Sequence, residues 1–299
     1  MLGIHNDLVH HDHIDLYTGV VDLPEGSTAA YGLRRLSSTY FGYACNIVNP
    51  TTLESLDVKF LPSGVIDSVA VEEFCNGTDD AYIKTWYDQT GQGNHLVQSD
   101  QSLRPQLVDS GTVITNPDNG KFSAKFQGDS METASALSLL NGTITIASSV
   151  ICVAKADSGL SSDNRLYTVA LPSSSLEHNA SFLTPSGASA GWKVDNSVMG
   201  NPPTNYISSD LTDTYIHMTS HVVVAVKAGF NDGPISTISG SALMGAAPDS
   251  LFLGSTSDSS NPDRFNGLIQ EFIMYNSANI LDVDLLNISA QINSFYGVY

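Results

Sequence analysis

The chain has 299 residues and a formal net charge of −19, with 12 Lys plus Arg against 31 Asp plus Glu. A field of that sign repels phosphate backbones and anionic membrane surfaces, which argues against nucleic-acid and membrane partners, and no run approaches the ~18 apolar residues of a membrane helix. With 41% hydrophobic and only 14% charged residues, and with Gly, Ser, Thr, Asn and Asp abundant, the composition excludes a disordered chain and suits short strands joined by tight turns.

Residues 1–26 read MLGIHNDLVHHDHIDLYTGVVDLPEG and carry no periodic pattern. They are expected to form an arm that packs on the body, residues 27–299, or anchors the chain to copies of itself. His10, His11 and His13 in that arm offer nitrogen ligands to a transition metal if copies meet on an axis; the plain reading is a polar, titrating arm. Ser27 is expected to cap a short helix through Ala30, Leu33 and Leu36. A second helical turn is expected from Asp67 to Phe74, ended by Asn76-Gly77.

From Ala81 the chain reads as strands. Tyr82 to Tyr87 is rich in β-formers and stops at a Gly-rich turn. Further strands are expected at 143–154, 165–171, 216–227, 250–253 and 268–275, spaced as in a two-sheet sandwich. The apolar run Val222 to Val226 predicts one strand buried on both faces. Leu281, Leu285, Ile288, Ile292 and Phe295 recur at steps of four and three, which predicts an amphipathic C-terminal helix stopped by Gly297.

Three cysteines, Cys45, Cys75 and Cys152, at wide spacing suit reduced thiols better than a disulfide framework. Met1 to His13 shows neither a basic n-region nor an apolar h-region, so the chain is expected to fold in a reducing cytoplasm. Asp157, Asp163, Asp210, Asp213, Asp249, Asp258 and Asp263 fall in expected loops, where a sandwich rim can hold Ca²⁺, but no Asp-x-Asp-x-Asp loop stands out. No cofactor is expected beyond those metal options.

Three segments carry a family resemblance. They are Ala30-Tyr31-Gly32-Leu33-Arg34-Arg35-Leu36-Ser37-Ser38-Thr39-Tyr40; Phe74-Cys75-Asn76-Gly77 followed by Thr85-Trp86-Tyr87-Asp88-Gln89-Thr90-Gly91-Gln92-Gly93-Asn94-His95-Leu96; and Arg104-Pro105-Gln106-Leu107-Val108. In this order they resemble the catalytic domain of fungal α-L-arabinofuranosidase B, glycoside hydrolase family 54, and jelly-roll modules of tailed-phage virion proteins. The resemblance implies an all-β fold, a concanavalin-like, laminin-G-type jelly roll of two antiparallel sheets with a few short helices. Locally, Gly91 and Gly93 permit unusual backbone angles, and Asp88 and Asn94 can satisfy the amides of such a turn. Asp88 and His95 are therefore read either as parts of a self-satisfied loop or as ligand contacts.

A retaining glycosidase needs a nucleophile and an acid/base carboxyl about 5 Å apart. In the resembled family the acid/base aspartate follows a Leu-Gly strand end, and Leu253-Gly254 followed by Asp258 matches it. The family nucleophile is the Glu of an Asp-Leu-Glu-Asn-Gly stretch. Aligned on that aspartate, Asp195 leaves Ser197 at the nucleophile position, with Asp195 the only nearby carboxylate. The cysteine that would pair with Cys75 is replaced by Asp80. Trp192 and Tyr206 are candidates to stack on a sugar ring. The expectation is therefore a non-enzymatic virion protein of a tailed phage, a decoration, fibre or spike built with other virion proteins and copies of itself. The alternatives are a carbohydrate-binding module for a host glycan and an active α-L-arabinofuranosidase.

Overall fold

The computed structural model describes residues 19–22, 26–133, 148–158, 164–170, 177–184, 191–196, 201–207, 212–222, 225–239, 250–255, 264–275 and 280–299. In chain order the strands are β1 (Ser27–Gly32), β2 (Cys45–Val48), β3 (Ser55–Val58), β4 (Ala81–Trp86), β5 (Leu96–Val97), β6 (Gln106–Asp109), β7 (Thr112–Val113), β8 (Ala124–Gln127) and β9 (Met131–Thr133). They continue with β10 (Ser148–Ala156), β11 (Asn164–Ala170), β12 (Glu177–Thr184), β13 (Gly191–Asn196), β14 (Asn201–Ile207) and β15 (Thr214–Val222). The last are β16 (Ala225–Phe230), β17 (Ser236–Ser239), β18 (Ser250–Leu253) and β19 (Asn266–Tyr275). Helix α1 spans Ser68–Phe74 and α2 spans Asp282–Tyr296.

The strands form the expected jelly-roll sandwich of two antiparallel sheets. The front sheet runs β3–β2–β4–β5–β9–β18–β11–β12–β13–β14. The back sheet runs β1–β19–β10–β15–β16–β17. Strands β6 and β8 join them, β6 pairing with β4 and β8 with β19.

Strands β1, β19, β10 and β15 of the back sheet are buried on both faces, and their sequence shows why. On β10, Val150, Cys152 and Ala154 point into the core between the sheets, while Ile151 and Val153 point to a second apolar layer. On β19, Phe272 and Met274 face the first layer and Ile273 and Tyr275 the second. Helix α2 covers that second layer with Leu285, Ile288, Ile292 and Tyr296, each contributing about 1.5–3 kcal/mol of burial. Its first turn is closed by Asp284, which accepts from the Leu281 amide at 3.0 Å, and Gly297 ends it at φ 64°.

Three local expectations are corrected. Ser27–Gly32 is a strand, because all six residues are buried in the doubly covered sheet, Ala29 and Tyr31 inward and Ala30 outward. The apolar run 222–226 turns back on itself, with Val222 pairing Ala225 in a hairpin between β15 and β16. Leu281 is the exposed cap of α2 rather than part of its apolar face. Phe295 keeps its expected place against that layer, partly buried with the Arg34 guanidinium over its ring at 4.6 Å, and Tyr296 beside it is buried as well. Helix α1 forms as expected, with Asp67 accepting from the Ala70 amide at 3.1 Å and Asn76 and Gly77 both at positive φ.

The three thiols are free and buried. Burial, then Asp79, Asp80 and Glu72, push Cys75 up to about 11, so it is an inert thiol. Asp80, standing where the family cysteine would be, accepts from the Ser110 amide at 2.8 Å, a hydrogen bond that ties the α1 exit to the β6–β7 turn.

Candidate active-site region

The Asp88 loop is satisfied from within. Asp88 is buried, and its carboxylate accepts from the amides of Ala30 (3.0 Å), Thr90 (3.0 Å) and Asn94 (3.1 Å) and from the Thr90 hydroxyl (2.7 Å). Gln89 donates to the carbonyls of Gly32 and Arg34 and accepts from the Leu36 amide. Asn94 donates to the Thr28 carbonyl at 2.7 Å. Together these bonds staple the β4–β5 loop to β1. His95 accepts from the Asp88 amide through Nδ1 at 3.1 Å, and its ring meets Tyr87 edge-on at 5.1 Å. The lone pairs that would bind a ligand are occupied by the fold.

The loop expected to carry the acid/base residue has a defined root. Strand β18 ends at Leu253, and the Gly254 amide donates to the Leu166 carbonyl at 2.8 Å. The Phe265 amide then donates to the Gly254 carbonyl at 2.9 Å, closing the loop on itself. Gly254 has φ +80°, and a Cβ there would meet Phe126 Cδ1 at 2.6 Å and the Asp129 carbonyl at 2.7 Å. The Leu-Gly ending is thus a packing requirement. Asp258 lies outside the described residues, as do His10, His11 and His13.

Strand register locates the other candidates along the front sheet. Leu253 lies opposite Tyr167, Tyr167 opposite Ser181, and Ser181 opposite Val194. One row further lie Phe252, Thr168, Ala180 and Asp195. Asp195 therefore sits three strands from β18, about 14 Å at ~4.8 Å per strand. A five-residue path from Leu253 to Asp258 spans at most about 17 Å, so this loop reaches Asp195 only by folding back across the sheet. Trp192 lies opposite Ile207, beyond the row of Leu253, and Tyr206 precedes Ile207 on β14.

Sequence reasoning missed Asp129. It packs against the root of the Gly254 loop and lines a cavity of about 390 Å³ with Tyr82, Ser102 and Arg104. Burial raises its carboxyl above the ordinary 3.8, opposed by the Gln127 amide, which donates to it at 2.7 Å, and by Arg264 and Lys125. The signal available was the Gln127-Gly128-Asp129 turn, whose Gly128 has φ 78°. Among the described residues no cluster of three His, Cys, Asp or Glu side chains is arranged to hold a metal, and no helix is long and apolar enough to cross a membrane.

The family model described as "Alpha-L-arabinofuranosidase B, catalytic" matches residues 15–123. No curated protein sequence matches the chain. Among solved structures, an arabinofuranosidase complexed with arabinofuranosyl-α-1,2-xylobiose superposes with a TM-score of 0.68 at 16% identity, covering 90% of this chain and 63% of that one. A family-54 α-L-arabinofuranosidase soaked with a cyclic sulfate inhibitor gives 0.66 at 16% identity and the same coverage. A Trypanosoma rangeli sialidase in complex with 2,3-difluorosialic acid gives 0.52 at 10% identity, over 74% of this chain and 32% of that one. The chain thus spans less than two thirds of the length of the arabinofuranosidases it resembles.

These findings correct the expectation of a non-enzymatic virion part. That expectation rested on the cysteine and leader patterns of a reducing compartment, on Ser197 leaving the catalytic pair incomplete, on the acidic charge and on the distinct N-terminal arm. The matching family model is of a catalytic domain, and the arabinofuranosidase folds superpose over 90% of the chain, so the likeness runs to a glycoside hydrolase and not to a virion component.

Proposed function

We propose that this chain is a glycoside hydrolase of the α-L-arabinofuranosidase type, acting by double displacement with Asp195 as nucleophile and Asp258 as acid/base. The observation that carries this reading is the catalytic-domain likeness at two levels, in sequence over residues 15–123 and in fold over 90% of the chain. A second alignment of the nucleophile strand supports it. Moved by two places, Asp195-Asn196-Ser197 falls on the family's Glu-Asn-Gly, which keeps a carboxylate and its neighbouring amide together and replaces Gly by Ser. The pairing of β12 with β13 is regular from Ala180 to Thr184, which sets Asp195 opposite Ala180, while on the β14 side the register shifts between Val194 and Asn196, at Asp195 itself.

In this mechanism Asp258, protonated, gives its proton to the departing glycosidic oxygen while the Asp195 carboxylate attacks the anomeric carbon. Water, deprotonated by Asp258, then hydrolyses the glycosyl ester and frees Asp195. Aspartate is one methylene shorter than glutamate, so the substrate must sit closer to β13. The test is release of nitrophenol from 4-nitrophenyl α-L-arabinofuranoside. Asp195→Asn and Asp258→Asn should each lower kcat by about 10³-fold or more, on the scale of losing a reacting group. Absence of turnover by the wild type, or full turnover by both variants, overturns the proposal.

A further inference from the structure

We infer a second saccharide-binding surface, formed by Tyr40, Phe41 and Tyr43 with Phe60, Lys59 and Arg35, that holds a neutral polysaccharide chain. The segment between β1 and β2 presents Phe41 at 85% exposure and Tyr43 at 41%, both beside a cavity of about 340 Å³. Aromatic rings left this open cost hydration free energy, and contiguous exposed apolar surface marks a contact site.

The rings are held in place. The Tyr40 hydroxyl donates to the Tyr43 carbonyl at 2.8 Å, and Tyr40 meets Phe60 edge-on at 6.4 Å. Gly42 leaves room for this arrangement, because a Cβ there would displace the Tyr40 ring. Tyr43 leans on Tyr87, whose hydroxyl donates to Asp57 at 2.9 Å. Phe41 stands between these held residues with its ring 85% exposed, and a platform whose flanking rings are already placed loses less on binding.

The chemistry selects the occupant. A sugar ring offers an apolar face of C–H bonds to an aromatic plane and hydroxyls to flanking donors. Lys59 and Arg35 line the same cavity and supply N–H donors, with no carboxylate in the lining. A polyanion is disfavoured by the −19 net charge. A protein partner needs roughly 800 Å² per side, far more than three exposed apolar side chains (Phe41, Tyr43 and Leu61) provide.

This choice of ligand rests on the glycosidase reading, and the experiment separates the two. Retention of the full chain in gels containing soluble arabinan, arabinoxylan or polygalacturonate reads binding. Turnover of 4-nitrophenyl α-L-arabinofuranoside reads chemistry. Phe41→Ala and Tyr43→Ala should weaken retention by a neutral polymer about tenfold, on the scale of one aromatic contact, and leave turnover of the small substrate unchanged. Equal retention of wild type and both variants, no retention by either neutral polymer, or preference for polygalacturonate overturns the inference. So does a dimer in sedimentation velocity that Phe41→Ala dissolves. If the small substrate is not turned over, the glycosidase reading fails while the retention assay still decides this surface.

Discussion

Gly254 and Phe265 are joined by a 2.9 Å hydrogen bond that closes the loop between them at its root. Gly254 holds φ +80° there with Phe126 and the Asp129 carbonyl inside the volume of a Cβ. Gly254→Ala should therefore cost about 2–4 kcal/mol, from the left-handed angle and the overlap together. Because the root aims the loop, kcat/KM on the chromogenic arabinofuranoside should fall as well, by about 10²-fold for a displacement of ~1 Å. Urea midpoints and steady-state kinetics check both. Unchanged stability with unchanged kinetics would show that the loop does not depend on its root.

Asp88 accepts from three backbone amides and one hydroxyl. Asp88→Asn keeps the shape but turns an –NH₂ toward donors that need an acceptor, so it should destabilise by about 2–4 kcal/mol. The effect belongs to the staple between β1 and the β4–β5 loop. Turnover per folded molecule should stay within about twofold, outside any range expected of a reacting group. A large loss of kcat in a variant of native stability would make Asp88 a participant in the chemistry.

Arg34 and Glu271 form a buried two-pronged ion pair, at 2.7 and 3.2 Å, linking the segment after β1 to β19 beneath α2. Glu271→Gln removes the carboxylate charge facing a buried guanidinium and should cost about 3–5 kcal/mol. The double variant Arg34→Met with Glu271→Gln should recover part of that loss. A double-mutant cycle in thermal or urea unfolding measures the coupling, and additive costs would show that the pair acts as two independent side chains.

Where structure was set by local pattern, the sequence was readable. The Asp67 cap, the Asn76-Gly77 stop and the three-four spacing of Leu285, Ile288 and Ile292 each act within one turn of helix. The Asp88 loop was readable in part, since the bonds from Thr90 and Asn94 to Asp88 are local, whereas its bonds to Thr28, Ala30, Gly32, Arg34 and Leu36 cross more than 50 residues. Ser27–Gly32 was not, because Ala30, Leu33 and Leu36 mimic a helical period, while the real cause is edge pairing with β19, some 240 residues away, and burial between the inter-sheet core on one face and the layer under α2 on the other. The hairpin at 222–226 was hidden for a related reason, since the run from Val222 to Val226 is apolar throughout and no Gly or Pro marks the change of strand. Asp195 and Asp258 were picked out by alignment to the family motifs, and Asp258 lies outside the described residues. The row that Asp195 shares with Phe252 depends on a register running across β11 and β12, which no local pattern records.

His217 is 1% exposed, and burial lowers its pKa from 6.5 to about 3. The sign follows from proton counting. Below pH 6.5 the unfolded chain takes up a proton at this position, while the folded chain does not until about pH 3, so folding stability falls as pH drops through that window. Stability from His217 is therefore present at neutral pH and lost toward acid, with a slope of up to about 1.4 kcal/mol per pH unit for one proton. His217→Asn does not titrate. It should be less stable than wild type at pH 7, where the ring's edge contact with Tyr215 at 5.9 Å is lost, and it should lose less stability between pH 6 and 4. Urea midpoints measured across that range give the comparison. Parallel curves for the two proteins would mean that His217 is already charged in the folded state, with a carboxylate close enough to hold its proton.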